Sequence, residues 1–455
     1  SGDMHNLGGV NSTFAPYLDR ITSVIVGDGI TAIGNFTFSG FRELRTVRMP
    51  EGINRIGNYA FSSCEKLEQI TIPSNVTAIG EDAFLSCHNL RSVRLPAGLK
   101  TIGDSAFLDN WKLVDIQIPD SVTKIGRRAF TQCYELERIT LPSGITEIEE
   151  WLFFGCRKLR EAVLQKGIRK IGESAFAQCA LTKIEIPEGV TSIGEDAFIS
   201  CMSLAEVILP DSLSVIGEDA FRGSVYEKSF SGCEFVVLGN GILYQYNGSR
   251  TSVAVPEGVT TIADAVFKNH KEIVEAVFPE NLRSIGASAF EGCTALERAA
   301  VPKGVERVGK DAFRGTLFLK SQEDGIVVFG KAAYGYQGTE NPIQLQIPDG
   351  VVSVTPYAFR FLGSVERVTI PESVTSIGEG AFLGCTALTQ ASVPDSVTEI
   401  GARAFGYYCV NGSSGTYLPL EMVLAGHRGT AVQDYAEDTQ NRVTFLPLDS
   451  LSGSC

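Results

Sequence analysis

A period of 23 residues limits what this chain can fold into more than any other feature it has. Pro50, Pro73, Pro96, Pro119 and Pro142 are evenly spaced at that interval, Gln165 takes the next slot, and Pro187 and Pro210 follow after one shortened unit. The series resumes at Pro256, Pro279 and Pro302, and again at Pro348, Pro371 and Pro394, leaving two gaps of twice the period. One unit reads Leu67-Glu68-Gln69-Ile70-Thr71-Ile72-Pro73, then Val76, Ile79-Gly80, Ala83-Phe84 and Cys87. A segment this short cannot enclose its own apolar side chains, but stacked copies can. The Leu-x-x-Ile-x-Ile stretch alternates and is rich in β-branched residues, which suits a strand with Ile70 and Ile72 inward. Pro73 ends that strand because it has no N–H to donate. Gly80 suits a tight turn after Ile79. The acidic pair Glu81-Asp82 suits the start of a short helical turn.

A unit of this length lies in the range of leucine-rich repeats and well below a propeller blade. The expected fold is a right-handed, curved leucine-rich-repeat solenoid with one short parallel strand and one helical turn per repeat. Residues 21–410 would form the array, with β-hairpin insertions at about 225–250 and 317–343 filling the two gaps. Residues 1–20 would lead in, 411–448 would cap the open end, and 449–455 would be a tail. A cap is required because an open solenoid end exposes core and strand edges.

Composition follows the period. Fifteen of the 26 phenylalanines, Phe84 among them, share one slot, and eight of the 11 cysteines share another. The phenylalanines read as an internal spine. Asn110, His270, Thr316 and Leu362 also occupy the cysteine slot, and no Cys-x-x-Cys pair exists, so the thiols read as small buried hydrophobes, not metal ligands. Cys455, at the terminus, is the expected reactive thiol. The four histidines have no metal-ligand or nucleophile spacing, and no phosphate-binding loop is present. No catalytic residue, cofactor or metal is expected, and the chain reads as a non-enzyme. With 39 basic and 53 acidic residues, net charge −14, a nucleic-acid partner is disfavoured. No apolar run is long enough to insert in a membrane. The start Ser1-Gly2-Asp3-Met4 carries no basic-then-apolar segment, and a signal peptide is read as already removed.

The pattern Leu-x-x-Ile-x-Ile-Pro-x-x-Val-x-x-Ile-Gly-x-x-Ala-Phe-x-x-Cys resembles the BspA-like, or Treponema-type, leucine-rich repeat. Ala425-Gly426-His427-Arg428-Gly429 through Val443-Thr444-Phe445 resembles the strand–helix–strand unit that closes such arrays. The resemblance implies a secreted or surface-attached bacterial protein involved in adhesion to host matrix or to other cells.

Alternation in each strand sends two residues per unit to the outer sheet face. One column begins Arg48, Thr71, Arg94, Gln117 and continues through Val163, Glu185 and Ile208 to Ala254, Val277 and Ala300. Its neighbour is mostly charged, with Glu206 among its members. Apolar residues ringed by charge mark a protein contact, although β-propensity alone also places Val on a sheet. Both gap segments end in Tyr-x-Tyr-x-Gly, at Tyr244 and Tyr246 and at Tyr334 and Tyr336. Each pair shares a face and could anchor an interface, or could pack the hairpin against the array. The leading expectation is therefore an extracellular or surface scaffold that recognises a protein or glycan partner through Arg48, Arg94, Val163, Glu206, Ile208, Val277 and these tyrosines. A structural spacer with no ligand of its own is the alternative.

Overall fold

The computed structural model describes residues 2–3, 17–339, 342–409, 416–438 and 441–450. Cys455 and most of the 1–20 lead-in lie outside the described residues. The chain forms two compact units, Ser1–Cys233 with Leu238–Asn240, and Glu234–Val237 with Gly241–Cys455.

Repeats of the first unit typically lay down a three-residue strand and then a two-residue one, as in Gln69–Thr71 and Ala78–Ile79. Both pair in parallel with the next repeat, Gln69 opposite Ser92 and Ala78 opposite Thr101. The second strand is an addition to the single strand expected from the sequence. It is too short for period-2 alternation to reveal, because only Ala78 and Ile79 belong to it. Leu67, Ile70, Ile72, Val76 and Ile79 all point into the core.

The repeat glycine has a different purpose from the one expected. Gly80 is not among the residues with left-handed backbone. A Cβ there would instead lie 2.6 Å from the carbonyl carbon of Gly57 and 2.7 Å from the nitrogen of Asn58 in the preceding repeat. Glycine is required because two backbones touch.

The expected helical turn after it does not form. Asp82 and Ser86 have φ of 52° and 57°, with equivalents at Tyr59 and Ser63 and at Ser105 and Asp109. Alternating hand turns every second peptide toward the next repeat. The N–H groups of Tyr59, Phe61 and Ser63 donate to the carbonyls of Glu81, Ala83 and Leu85 at 2.8, 2.7 and 2.7 Å. A helical turn would have kept those hydrogen bonds to itself. Each left-handed residue costs about 1 kcal/mol, and the cost is offset by a third ladder binding repeat to repeat.

Inside this ladder the phenylalanines stack as a spine. Phe61 and Phe84 lie 5.2 Å apart and 5° from parallel, Phe84 and Phe107 5.3 Å apart and 2° from parallel. The slot cysteines are buried but not simply hydrophobic. Cys87 Sγ donates to the Phe61 carbonyl at 3.1 Å and Cys133 Sγ to that of Phe107 at 3.3 Å. Asn110 takes the same bond, its Nδ2 donating to the Phe84 carbonyl at 2.9 Å. Burial pushes the thiols of Cys156 and Cys201 up to about 12, so they stay protonated as donors.

The second unit follows the same plan between interruptions. Strand Ile242–Tyr246 runs parallel to Thr261–Ile262. Gly325–Phe329 and Ala332–Gln337 form an antiparallel hairpin whose second strand pairs in parallel with Ser353–Val354. A hairpin strand thus stands in for a repeat strand, which is why the period survives the gap. Helices α1 (Val225–Lys228) and α2 (Leu317–Lys320) precede these segments. Their N-caps, Ser224 and Thr316, sit in the cysteine slot, where a hydroxyl accepts from a helix N–H. At the far end Met422–Gly426, helix α3 (Ala431–Glu437) and Val443–Pro447 give the strand–helix–strand order. Their strands extend Gln390–Ser392 in parallel. Val432, Tyr435 and Ala436 of α3 pack into the same core as Phe405.

Candidate binding surface

The outer columns are built by the three-residue strands, whose outer–inner–outer burial recurs from repeat to repeat. In the first unit this exposes Arg48, Arg94, Val163, Glu206 and Ile208. Val163 and Ile208 are each 39% exposed. Ile25, in the first repeat of the same column, is 76% exposed and was not among the residues singled out from the sequence. Its slot could have been read by extending the column one repeat back from Arg48.

Charge on this face is neutralised across one repeat step. Glu206 accepts from Lys183 Nζ at 2.5 Å. The two residues stand directly opposite one another on paired strands, an exposed arrangement of modest strength. Beside it, Arg160, Glu161, Val163, Lys183 and Glu185 line a shallow concavity of about 640 Å³. It opens where hydrogen-bonded pairing lapses, since Glu161–Val163 belongs to one two-stranded sheet and Lys183–Glu185 to another. The repeat is also shortened here. Two residues separate Cys156 from Leu159, but only Ala180 separates Cys179 from Leu181. This single-residue deletion shortens the approach to the strand.

In the second unit Val277 is 50% exposed, and its strand pairs in parallel with those on either side. Beside it Arg298 Nε donates to Glu275 Oε1 at 3.1 Å, and Ser252 Oγ donates to Oε2 of the same carboxylate at 3.0 Å. These bonds hold the Glu275 carboxyl below its ordinary range.

The structure corrects the expectation for the tyrosines. Tyr244 and Tyr246 are buried, 8% and 4% exposed. Tyr246 lies 5.0 Å from Phe267 and 5.1 Å from His270, and its hydroxyl accepts from the Arg250 N–H at 3.1 Å. Tyr334 is half-buried, and its hydroxyl accepts from the N–H of Phe313 at 3.0 Å. Tyr336 packs against the core. Alternation rightly puts both rings of a pair on one side, but that side is the array and not solvent. A spine of large rings attracts further rings: the first pair is buried outright, and the second is half-buried against the array.

Among the described residues no group of three His, Cys, Asp or Glu could hold a metal ion, and no helix is long and apolar enough to cross a membrane. The described thiols divide between eight buried slot positions, half-buried Cys409 and exposed Cys233.

Repeating strands, phenylalanine spine and alternating turns define a leucine-rich-repeat solenoid. The family model for a BspA type leucine-rich repeat region matches residues 11–137, 123–245, 238–323 and 331–416. The chain belongs to that family. Similar solved structures include a leucine-rich repeat protein from Bacteroides ovatus, 20% identical, covering 88% of this chain and 87% of that one, TM-score 0.48. A leucine-rich cell surface protein from Faecalibacterium prausnitzii is 26% identical, covering 86% and 88%, TM-score 0.34. The leucine-rich repeat protein of T. pallidum is 33% identical over 35% of this chain and 76% of its own, TM-score 0.33. No curated protein matches the chain.

Proposed function

We propose that this protein is a non-enzymatic adhesion scaffold, secreted or held at the cell surface, that recognises a protein through the outer face of its three-residue strands. One observation carries the reading. Between Arg48 and Ile208 the column is otherwise held by Arg, Thr, Gln and Glu, and there Val163 and Ile208 present apolar surface, each 39% exposed, with Val163 lining the concavity beside the shortened repeat. Apolar residues framed by ion pairs such as Lys183–Glu206 have the make-up of an interface core with a polar rim. Placement at or outside the cell surface is part of the same proposal and accords with BspA-type membership.

The test is a binding screen of the full chain against extracellular matrix proteins, with Val163→Asp, Ile208→Asp and Val277→Asp measured beside wild type. These side chains are exposed, so folding is expected to persist, which thermal unfolding checks. A partner that binds wild type saturably and Val163→Asp and Ile208→Asp at least about tenfold more weakly supports the reading, with Val277→Asp testing the same face of the second unit by itself. Partners that bind all four proteins equally would sink it.

A further inference from the structure

Some outward-facing basic residues near the strands find a carboxylate one repeat away: Lys158 with Glu135 at 2.6 Å, Lys170 with Glu147 at 2.8 Å, Lys183 with Glu206 at 2.5 Å and Arg298 with Glu275 at 3.1 Å. Arg45, Arg48, Arg91 and Arg94 do not, and they lie close together. All four are exposed. None forms an ion pair with a carboxylate among the described residues, whereas Arg42 nearby does, with Glu65 at 3.5 Å.

Arg48 and Arg94 end the strands Thr46–Arg48 and Ser92–Arg94, and Arg45 and Arg91 immediately precede them. The strand Gln69–Thr71 belongs to the repeat between. Three residues along a strand span about 10 Å, and two repeat steps at about 4.8 Å span about 10 Å. The four guanidinium-bearing residues therefore stand at the corners of a roughly square area. Within it the exposed side chains are Thr46, Gln69, Thr71 and Ser92, with Glu68 as its one carboxylate. This area is hydroxyl and amide where the Val163 region is apolar.

We infer that this area is a binding site for a linear sulfated polysaccharide. Unpaired guanidinium forks are suited to the planar, bidentate capture of anionic oxygens. Hydroxyl and amide groups between them match a ligand that carries hydroxyls between its charges, and the exposed Ile25 stands one repeat outside the area, opposite Arg48. The chain's net charge of −14 repels polyanions in general, so capture depends on local contacts and not on the overall field. Nearby, Trp111 stacks on His88 at 3.9 Å and lies 6.2 Å from Tyr134, and it is 42% exposed. The inference shares with the proposed function the premise that the sheet face binds, but it uses different residues.

The test measures heparin binding to the full chain by calorimetry, with neutral dextran and duplex DNA as comparison ligands. Wild type is expected to bind heparin saturably at low salt and not dextran. Affinity should fall by about a hundredfold between ~50 and ~200 mM salt if four charge contacts are made. Arg48→Gln/Arg94→Gln is expected to weaken binding by at least about tenfold, and adding Arg45→Gln/Arg91→Gln by more. Lys158→Gln/Arg298→Gln removes equal charge from paired positions and should leave affinity within about twofold. Val163→Asp should likewise leave it unchanged, which separates this site from the protein-binding face. Arg48→Lys/Arg94→Lys retains charge while losing the fork, and an intermediate loss is expected. Equal losses in the arginine and control pairs would overturn the inference, as would absence of saturable wild-type binding or tighter binding of DNA than of heparin.

Discussion

Phe290 and Phe313 are successive members of one spine, 5.4 Å apart and 5° from parallel, yet they meet different surroundings on their far sides. Phe290 has a repeat on each side. It stacks on Phe267 at 4.7 Å, and its N–H donates to the Ala312 carbonyl at 2.7 Å. Phe313 has no ordinary repeat after it. Phe318 and Phe329 meet it edge-on at 5.3 and 4.9 Å, and its N–H donates to the Tyr334 hydroxyl. The same solution recurs at the other spine end in this unit. Tyr435 of α3 approaches Phe405 edge-on at 6.3 Å, accepts from its N–H at 3.0 Å and donates to its carbonyl at 2.9 Å. The third ladder needs an acceptor at every step, and where the next repeat is missing a tyrosine hydroxyl supplies it. Hairpin and cap are therefore the same device, a terminator for the spine.

The largest expected effect comes from the interior. Phe290 is fully buried between two rings, so Phe290→Ala should lower stability by about 3–5 kcal/mol in urea unfolding of the full chain. A loss below about 1 kcal/mol would mean that the stack is not what holds adjacent repeats together. The end of the spine should respond more gently. Tyr334→Phe keeps the ring and strands one buried N–H, which costs about 1–3 kcal/mol. Tyr435→Phe removes an acceptor and a donor and should fall at the upper end. Faster amide exchange at Phe313 and Phe405 is the specific signature. Unchanged exchange in both variants would break the equivalence of hairpin and cap.

The comparison also shows why the sequence discloses some of this and conceals the rest. Fifteen phenylalanines in one slot can only be a stacked spine, and alternation placed Thr71 and Val163 outside, because a solenoid repeats one environment many times. The hairpin tyrosines have no such repetition behind them. Their parity gave a shared face, while the face itself depends on whether Phe313 lacks an acceptor, a tertiary fact. Gly80 was read as a turn residue because nothing local announces that Gly57 will lie 2.6 Å from its missing Cβ. Glu81-Asp82 read as the start of a helical turn because the left-handed ladder draws its hydrogen bonds from the next repeat, 22 residues away. Asn110 was a visible hint that the cysteine slot donates a hydrogen bond, since a buried amide among thiols must satisfy a polar partner.

The smallest predicted effect lies at the seam between the last repeat and its cap. His427 follows the strand Met422–Gly426, and its Nδ1 lies 2.9 Å from Asp395 of the last repeat, while its Nε2 lies 3.6 Å from Asp449. The hydrogen bond and charge of Asp395 raise the His427 pKa, with smaller help from Asp449 and Glu372. A raised value in the folded state means the contact stabilises fully below the ordinary histidine pKa of about 6.5, and is lost as pH climbs through the higher folded value. The cap should therefore hold slightly better at mildly acidic pH. An NMR titration of the His427 ring should give a midpoint above about 6.5, and Asp395→Asn should bring it down. Amide exchange in α3 should quicken as pH rises through that midpoint, beyond the intrinsic trend, in wild type but not in His427→Gln. Identical pH profiles in the two proteins would show that the cap is held by its Tyr435 contacts alone, and that the second of the two spine ends needs no charge to stay closed.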